Sequence, residues 1–444
     1  MPAPSSLLDA WTDTVRSNPH ARVLIDAATG REWTRSEIDA AAAAWRAHHG
    51  HTLSGRIVAI AELNGPEWLR VFIGLLYANA IIAPLDPGEP IESLQQTATG
   101  IGARFLWKAG ALNALAASRA KVRRGGRLIK LTSGSTGQPR ALFFNDAEML
   151  ADGRQLCAAM SIRENDINLG LIPWGHSYGL GNLVMPLLLQ GTAVVCGTAP
   201  LPHAMAAVIA QTKPTIFPAV PALLRALADS TATAGQLASL RTIISAGAPL
   251  EAEIAQRFAD KFERKIHNFY GSSETGGISY DRSGDSARFG RGVGRPIEGV
   301  QLEFGRGGRL TVKSAAVFTI GNRHPGSHRM ADIARLTDEG ELVLLGRSGR
   351  FVKIAGRRLN LAEVERALKS LDGVRDALVV PHAERADTLA AVIASERVAS
   401  DIRDALRTRL APWKIPKKIL TLPAFPITAR GKTDTRQLRA LLGS

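Results

Sequence analysis

Thr132-Ser133-Gly134-Ser135-Thr136-Gly137, followed by Gln138-Pro139-Arg140, is the stretch of this chain best suited to chemistry. Its glycines let backbone N–H groups converge on an anion, its hydroxyls add donors, and Arg140 supplies a fixed positive charge that suits phosphate. The order of Gly, Lys and hydroxyl needed for a Walker A loop is absent. A second cluster, Tyr270-Gly271-Ser272-Ser273-Glu274-Thr275-Gly276, sets one carboxylate among hydroxyls. Such oxygen donors suit Mg²⁺ beside a polyphosphate, or else form a capping turn. Asp332 and Arg347 stand at the two ends of an expected hairpin, where they can hydrogen-bond a ribose or form an ordinary surface pair. Lys432, on the loop Pro426 to Asp434, is a cation able to neutralise charge developing on phosphate and carboxylate oxygens.

A competing constellation is Gly175-His176-Ser177-Tyr178-Gly179, which matches the G-x-S-x-G elbow of serine hydrolases and acyltransferases. Histidines lie downstream at His203, His267, His324, His328 and His382. No HGGG-type oxyanion segment precedes it, and a hydrolase would leave the Gly/Ser loop, Glu274 and Lys432 without roles.

These groups must be positioned by an α/β body. Helical and strand patterns alternate: a helix over Arg35 to His49, a strand at Ile57 to Ala61, a helix at Gly65 to Asn79 and a strand at Ile81 to Leu85. The Gly/Ser stretch falls between apolar runs at Leu128 to Leu131 and Ala141 to Phe144, both read as strands. The alternation resumes with a helix over Asn145 to Met160, strands at Ile167 to Ile172 and Thr192 to Cys196, and a helix at Leu183 to Gln190. Further strands are expected at Thr215 to Phe217, Thr242 to Ser245 and Ile266 to Phe269. This order predicts a large N-terminal domain of mostly parallel sheets flanked by helices. After Asn268 the texture turns to short Gly/Arg-rich strands, expected to form a small antiparallel sheet or barrel. Glycines at 346 and 349 mark a boundary, giving domains 1–346 and 347–444, the second a small mobile α+β unit.

The chain has 444 residues, 45% of them hydrophobic, enough for large cores. No segment is predicted to span a membrane, and the start of the chain lacks the order of a signal peptide, so a cytoplasmic protein is expected. Cys157 and Cys196 make neither a zinc site nor a disulfide framework. The net charge is +15, and residues 347–444 hold 20 Lys and Arg against 10 Asp and Glu, so about +10 of it lies there. Nucleic-acid motifs are missing, which argues against a nucleic-acid partner and leaves an anionic membrane surface, a polyphosphate substrate or an acidic carrier protein.

Taken in order, these segments resemble the adenylate-forming superfamily of acyl- and aryl-CoA synthetases, adenylation domains and luciferases, from about Trp11 to Leu442. The resemblance implies ATP and Mg²⁺ as cofactors. Thr132 to Arg140 looks like the phosphate loop, Gly247-Ala248-Pro249 like the segment against adenine, and Tyr270 to Thr275 like the adenine and Mg²⁺ motif. It further implies that Glu274 and Thr136 serve the metal, that Asp332 and Arg347 match the ribose acid and the arginine opening the hinge, and that Lys432 matches the catalytic lysine. The implied reaction joins a carboxylate to AMP, releases pyrophosphate, and passes the acyl group to a thiol of CoA or of a carrier protein's phosphopantetheine. His176 resembles the gate of acyl- and aryl-acid members. The Asp that would meet an amino acid's ammonium is absent there, so a small aromatic or fatty acid without an α-amino group is expected. Gly356 looks like the glycine past which pantetheine threads. The chain departs from the family at Arg140 and Ala141, where Lys and Gly are usual, at Ala331 before the ribose acid, and at Gly349 in the hinge.

Overall fold

The computed structural model describes residues 3–116, 125–132, 140–347, 351–354, 357–383, 385, 388–410, 412–428 and 433–443. The chain divides into two compact units. The first comprises residues 1–304, 311–329 and 335–343, and the second residues 305–310, 330–334 and 344–444.

The first unit is built on two parallel-rich sheets. Six strands run in the order Ala111–Ala114, Phe105–Lys108, Ile57–Ile60, Ile81–Pro84, Leu128–Thr132, Arg140–Phe144. The nine-stranded sheet has at its centre the parallel strands Ile266–Ser272, Thr242–Ser245, Ile216–Ala219, Ile167–Leu169 and Ala193–Cys196. Three of them are buried on both faces, as helices on both sides demand. One core gathers Trp11, Trp45, Trp68, Phe72, Trp107 and Trp174, all nearly inaccessible. Each large side chain of this kind contributes on the order of 2 kcal/mol by leaving water. Local chemistry sets the helix ends. Thr34 caps Arg35–His49 and Glu37 answers its backbone N–H, while Asn145 and Glu148 do the same for Asp146–Met160.

Several expectations need correction. The strand expected over Ile167 to Ile172 stops at Leu169, and the next residues form the turn that carries Trp174 and His176. The helix expected from Leu183 starts at Ser177 and passes through a π-turn, Leu180–Val184, before Met185–Gln190. The strand expected to end at Phe269 continues to Ser272, because after running parallel to Thr242–Ser245 it pairs antiparallel with Gly276–Tyr280. Of the two forms expected for the antiparallel region, the sheet is the one found, its four strands being Gln301–Gly305, Arg309–Lys313, Ser327–Leu336 and Leu342–Arg347. Helices Leu7–Ser17 and Ile91–Gly100 add to the expected elements.

The second unit is α+β. Val374–Pro381, Leu389–Ser395 and Lys418–Leu422 form its three-stranded sheet, with Leu389–Ser395 wholly buried in the middle. Helices Leu361–Lys369, Ala399–Arg407 and Thr435–Leu442 supply the apolar faces that cover it. Glu365, buried in the first of these, accepts a hydrogen bond from the Val379 amide at 2.8 Å. Among the described residues no helix is long and apolar enough to cross a membrane.

Candidate active site

The Gly/Ser stretch joins two antiparallel strands whose last pair is Thr132 with Arg140. Ser133, Gly134, Ser135, Thr136 and Gly137 lie outside the described residues, as do Gln138 and Pro139. Arg140 is exposed, and its guanidinium carbon lies 6.0 Å from the centre of the Phe318 ring. Phe318 in turn packs against His328 at 5.9 Å, and its amide donates to the Glu274 carbonyl at 3.3 Å. Burial pushes the pKa of His328 below its ordinary value, with Glu274 pulling it up and Arg140 pulling it down. The expected phosphate-binding cation and the expected metal carboxylate thus share one neighbourhood around Phe318 and His328. Sequence reasoning assigned neither of those two residues a place there.

Glu274 sits on the tight connection of a hairpin, where Ser272 pairs with Gly276. The Glu274 amide donates to Ser272 Oγ at 3.2 Å, and Ser272 Oγ lies 3.0 Å from Thr275 Oγ1. Gly276 has φ +69°, and a Cβ there would come within 2.3 Å of Asp152, so only glycine fits. Asp152 accepts the Gly277 amide at 3.0 Å and faces Lys130 Nζ at 3.5 Å, both side chains being almost fully buried. Lys130 also lies 4.3 Å from the centre of the Phe144 ring. Lys130 belongs to the strand that leads into Thr132, so this buried pair ties that strand to the Glu274 hairpin.

Tyr270, Gly271 and Ser272 are on the strand itself, with a bulge between Tyr270 and Gly271. Gly247, Ala248 and Pro249 are exposed in the loop that follows Thr242–Ser245, the neighbouring parallel strand. Gly247 to Pro249 thus lie beyond the carboxyl end of a parallel strand and Tyr270 to Ser272 beyond the parallel pairing of theirs, which ends at Asn268, the usual side for ligands in such sheets.

His176 precedes the short helix Ser177–Gly179 in an extended conformation. Its turn is held by Asn64, whose Nδ2 donates to the carbonyls of Gly170 at 3.0 Å and Ile172 at 2.8 Å, while Oδ1 accepts from the Trp174 amide at 2.9 Å. Ser177 Oγ donates to Ser273 Oγ at 2.8 Å, joining the His176 turn to the Glu274 motif. This bond corrects the elbow reading, because the serine partners another serine hydroxyl and not an imidazole. Gly179 serves packing there, since a Cβ would meet the Pro173 carbonyl at 2.0 Å.

In the second unit, Asp332 and Arg347 lie on the neighbouring strands Ser327–Leu336 and Leu342–Arg347. Lys432, Gly349 and Gly356 lie outside the described residues. On either side of Lys432's segment, Ile427 and Thr433 form an antiparallel bridge, and Asp434 caps the last helix through the amides of Arg436 and Gln437.

Residues 126–304 match the AMP-binding enzyme family, and residues 363–432 match the AMP-binding enzyme C-terminal domain. The chain is 28% identical over 358 residues to the 2-hydroxy-7-methoxy-5-methyl-1-naphthoate–CoA ligase of Streptomyces carzinostaticus, covering 71% of this chain and 62% of that one. It is 28% identical over 341 residues to the benzoate–CoA ligase of Thauera aromatica, covering 70% and 64%. The chain thus spans just under two thirds of the length of each of these relatives. ATP-bound MatB from Rhodopseudomonas palustris has the same fold, with a TM-score of 0.84 at 20% identity over 98% of both chains. The two matches fall in chain order on the two units whose residues have just been described, and the chain belongs to the AMP-binding, adenylate-forming enzyme family.

Proposed function

We propose that this protein activates a carboxylic acid without an α-amino group as its acyl-AMP and then transfers the acyl group to a thiol, that of CoA or of a carrier protein's phosphopantetheine. The observation that supports the reading is the Ser177–Ser273 bond, which joins the His176 turn to the Glu274 hairpin. An acid held at the first then meets a nucleotide held at the second. Attack of the carboxylate oxygen on the α-phosphorus forms the anhydride P–O bond and breaks the bond to pyrophosphate, which leaves with the electron pair. Arg140, with the hydroxyls of the Gly/Ser stretch, binds the β- and γ-phosphates, and Gly247 to Pro249 with Tyr270 and Gly271 receive the adenine.

The donor chemistry around Glu274 fits Mg²⁺. Among the described residues no group of three or more His, Cys, Asp or Glu could cage a metal. Mg²⁺ characteristically binds through one or two carboxylates together with substrate phosphates and water, so the single Glu274 with Thr136 is a suitable set. When bound, the ion supplies charge that steadies the phosphate oxygens. Asp332 and Arg347 hold the ribose and the entrance to the second domain, residues 347–444. Lys432 neutralises the charge that develops on the reacting oxygens. The reaction is assigned to the cytoplasm, where ATP and CoA are supplied.

Carboxylate-dependent exchange of labelled pyrophosphate into ATP tests the assignment. The unaltered protein gives exchange with the correct acid, and Lys432→Ala loses it. Full exchange in that variant would remove Lys432 from the chemistry.

A further inference from the structure

Two carboxylates, Glu148 and Asp152, stand one turn apart on the same face of the helix Asp146–Met160, and both are almost inaccessible. A helix packed on a core ordinarily presents apolar side chains there. Each of these acids instead ties the helix to other segments. Glu148 Oε2 accepts the Asn145 amide at 2.8 Å, just past the strand Arg140–Phe144. Its Oε1 accepts both the amide of Thr319, at 2.8 Å, and the Thr319 hydroxyl. Thr319 follows Phe318, whose amide donates to the Glu274 carbonyl and whose ring lies beside Arg140. Asp152 accepts the Gly277 amide and faces Lys130. One helix face therefore references both strands that flank the Gly/Ser stretch, together with the Glu274 hairpin and the Phe318 segment.

The Lys130–Asp152 pair is the costly member of this set. Taking two charges out of water costs about what their attraction returns, so an uncharged pair of the same volume would be as stable. Among the described residues Lys130 Nζ has no hydrogen-bond partner, only the Asp152 charge and the face of the Phe144 ring. Stability does not account for such a pair, but registration does: sliding either element strands a buried charge, so one alignment is favoured over its neighbours. We infer that Lys130 and Asp152 are positioning residues for the triphosphate, setting the strand that carries Thr132 against the hairpin that carries Glu274. This rests on the nucleotide site proposed above. Both side chains are buried and act through the elements that carry them. Their effect falls on a ligand that spans strand and hairpin together, as a polyphosphate with its Mg²⁺ does, and not on one that stops at the α-phosphate.

Calorimetric titration without any acid, using α,β-methylene-ATP with Mg²⁺ and, separately, AMP, tests this. The double variant Lys130→Met/Asp152→Asn removes both charges, nearly keeps the volumes and leaves an acceptor for the Gly277 amide. It is expected to unfold at a urea midpoint no lower than that of either single variant. It should nevertheless bind the triphosphate analogue ~10-fold more weakly than the unaltered protein does. AMP, which lacks the β- and γ-phosphates, should bind both proteins alike. An unchanged affinity for the triphosphate analogue overturns the inference, and so does an equal loss for AMP, which would mark general damage to the fold. A double variant less stable than both single variants also overturns it, since the pair would then serve stability. An unaltered protein that binds neither nucleotide is a separate result: it removes the nucleotide site itself, and the inference with it.

Discussion

Lys130 Nζ lies 3.5 Å from Asp152 Oδ2 in a place that water scarcely reaches. Such a pair owes its tolerance to its partners: Asp152 also takes the Gly277 amide and Lys130 faces the Phe144 ring. Asp152→Ala strands a buried ammonium and an amide, and is expected to cost about 3–5 kcal/mol in urea unfolding. Lys130→Met, which keeps the volume and removes a charge, should cost less than Lys130→Ala. Pairing the variants in a double-mutant cycle measures the coupling directly.

Asn64 makes three hydrogen bonds to the turn that carries His176. Asn64→Asp keeps the acceptor but loses both donated bonds, and is expected to destabilise by roughly 1–3 kcal/mol. Because the turn borders the proposed acid site and not the nucleotide, the KM for the acid should rise more than the KM for ATP. Equal rises in both would detach Asn64 from the acid.

Ser177 donates to Ser273, so its hydroxyl positions the turn without attacking a substrate. Ser177→Ala should retain pyrophosphate exchange within about tenfold, the effect of one lost hydrogen bond. A hydrolase would instead show ester cleavage without ATP that disappears in this variant.

Two groups make stability depend on pH in the same direction. Burial lowers the pKa of His267 below 6.5, partly offset by its hydrogen bond to the Asp281 carbonyl. Burial would raise the carboxyl of Asp166, but hydrogen bonds from Arg241, Thr215 and the Arg163 amide hold it below 3.8. In both cases the unfolded chain binds the proton more readily, so the contribution is complete above the unfolded value and is lost as pH falls through the folded one. The urea midpoint should therefore fall in two stages, one beginning below about pH 6.5 and one below about pH 4. Arg241→Leu should move the second stage to higher pH.

Cys157 and Cys196 are both buried, and burial pushes each thiol up to about 12. Reaction requires the thiolate, so the native protein near neutral pH should react slowly with a thiol reagent, and both residues quickly once urea unfolds it.

Much of this architecture is legible in the sequence, and the reasons are local. The helix Arg35–His49 agrees with its expected bounds because Thr34 and Glu37 form a capping box three residues apart. The strands on either side of the Gly/Ser stretch are short apolar runs, and they pair as the pattern suggests. What the sequence hides is long-range. Asn64 binds Trp174 across 110 positions, and no periodicity announces it. The gathering of Arg140, Phe318, His328 and Glu274 joins three separate segments through ring contacts and one amide. The π-turn at Leu180–Val184 is equally silent in the pattern.

The Asn64 contact has a consequence for chimeras. The segment that matches the family begins at residue 126, so it contains His176 but not the amide that secures it. Grafting that segment into a relative would transplant the His176 turn without its anchor. A hybrid that keeps the donor's selectivity must import the stretch around Asn64 as well, although nothing in its composition marks it as part of the site.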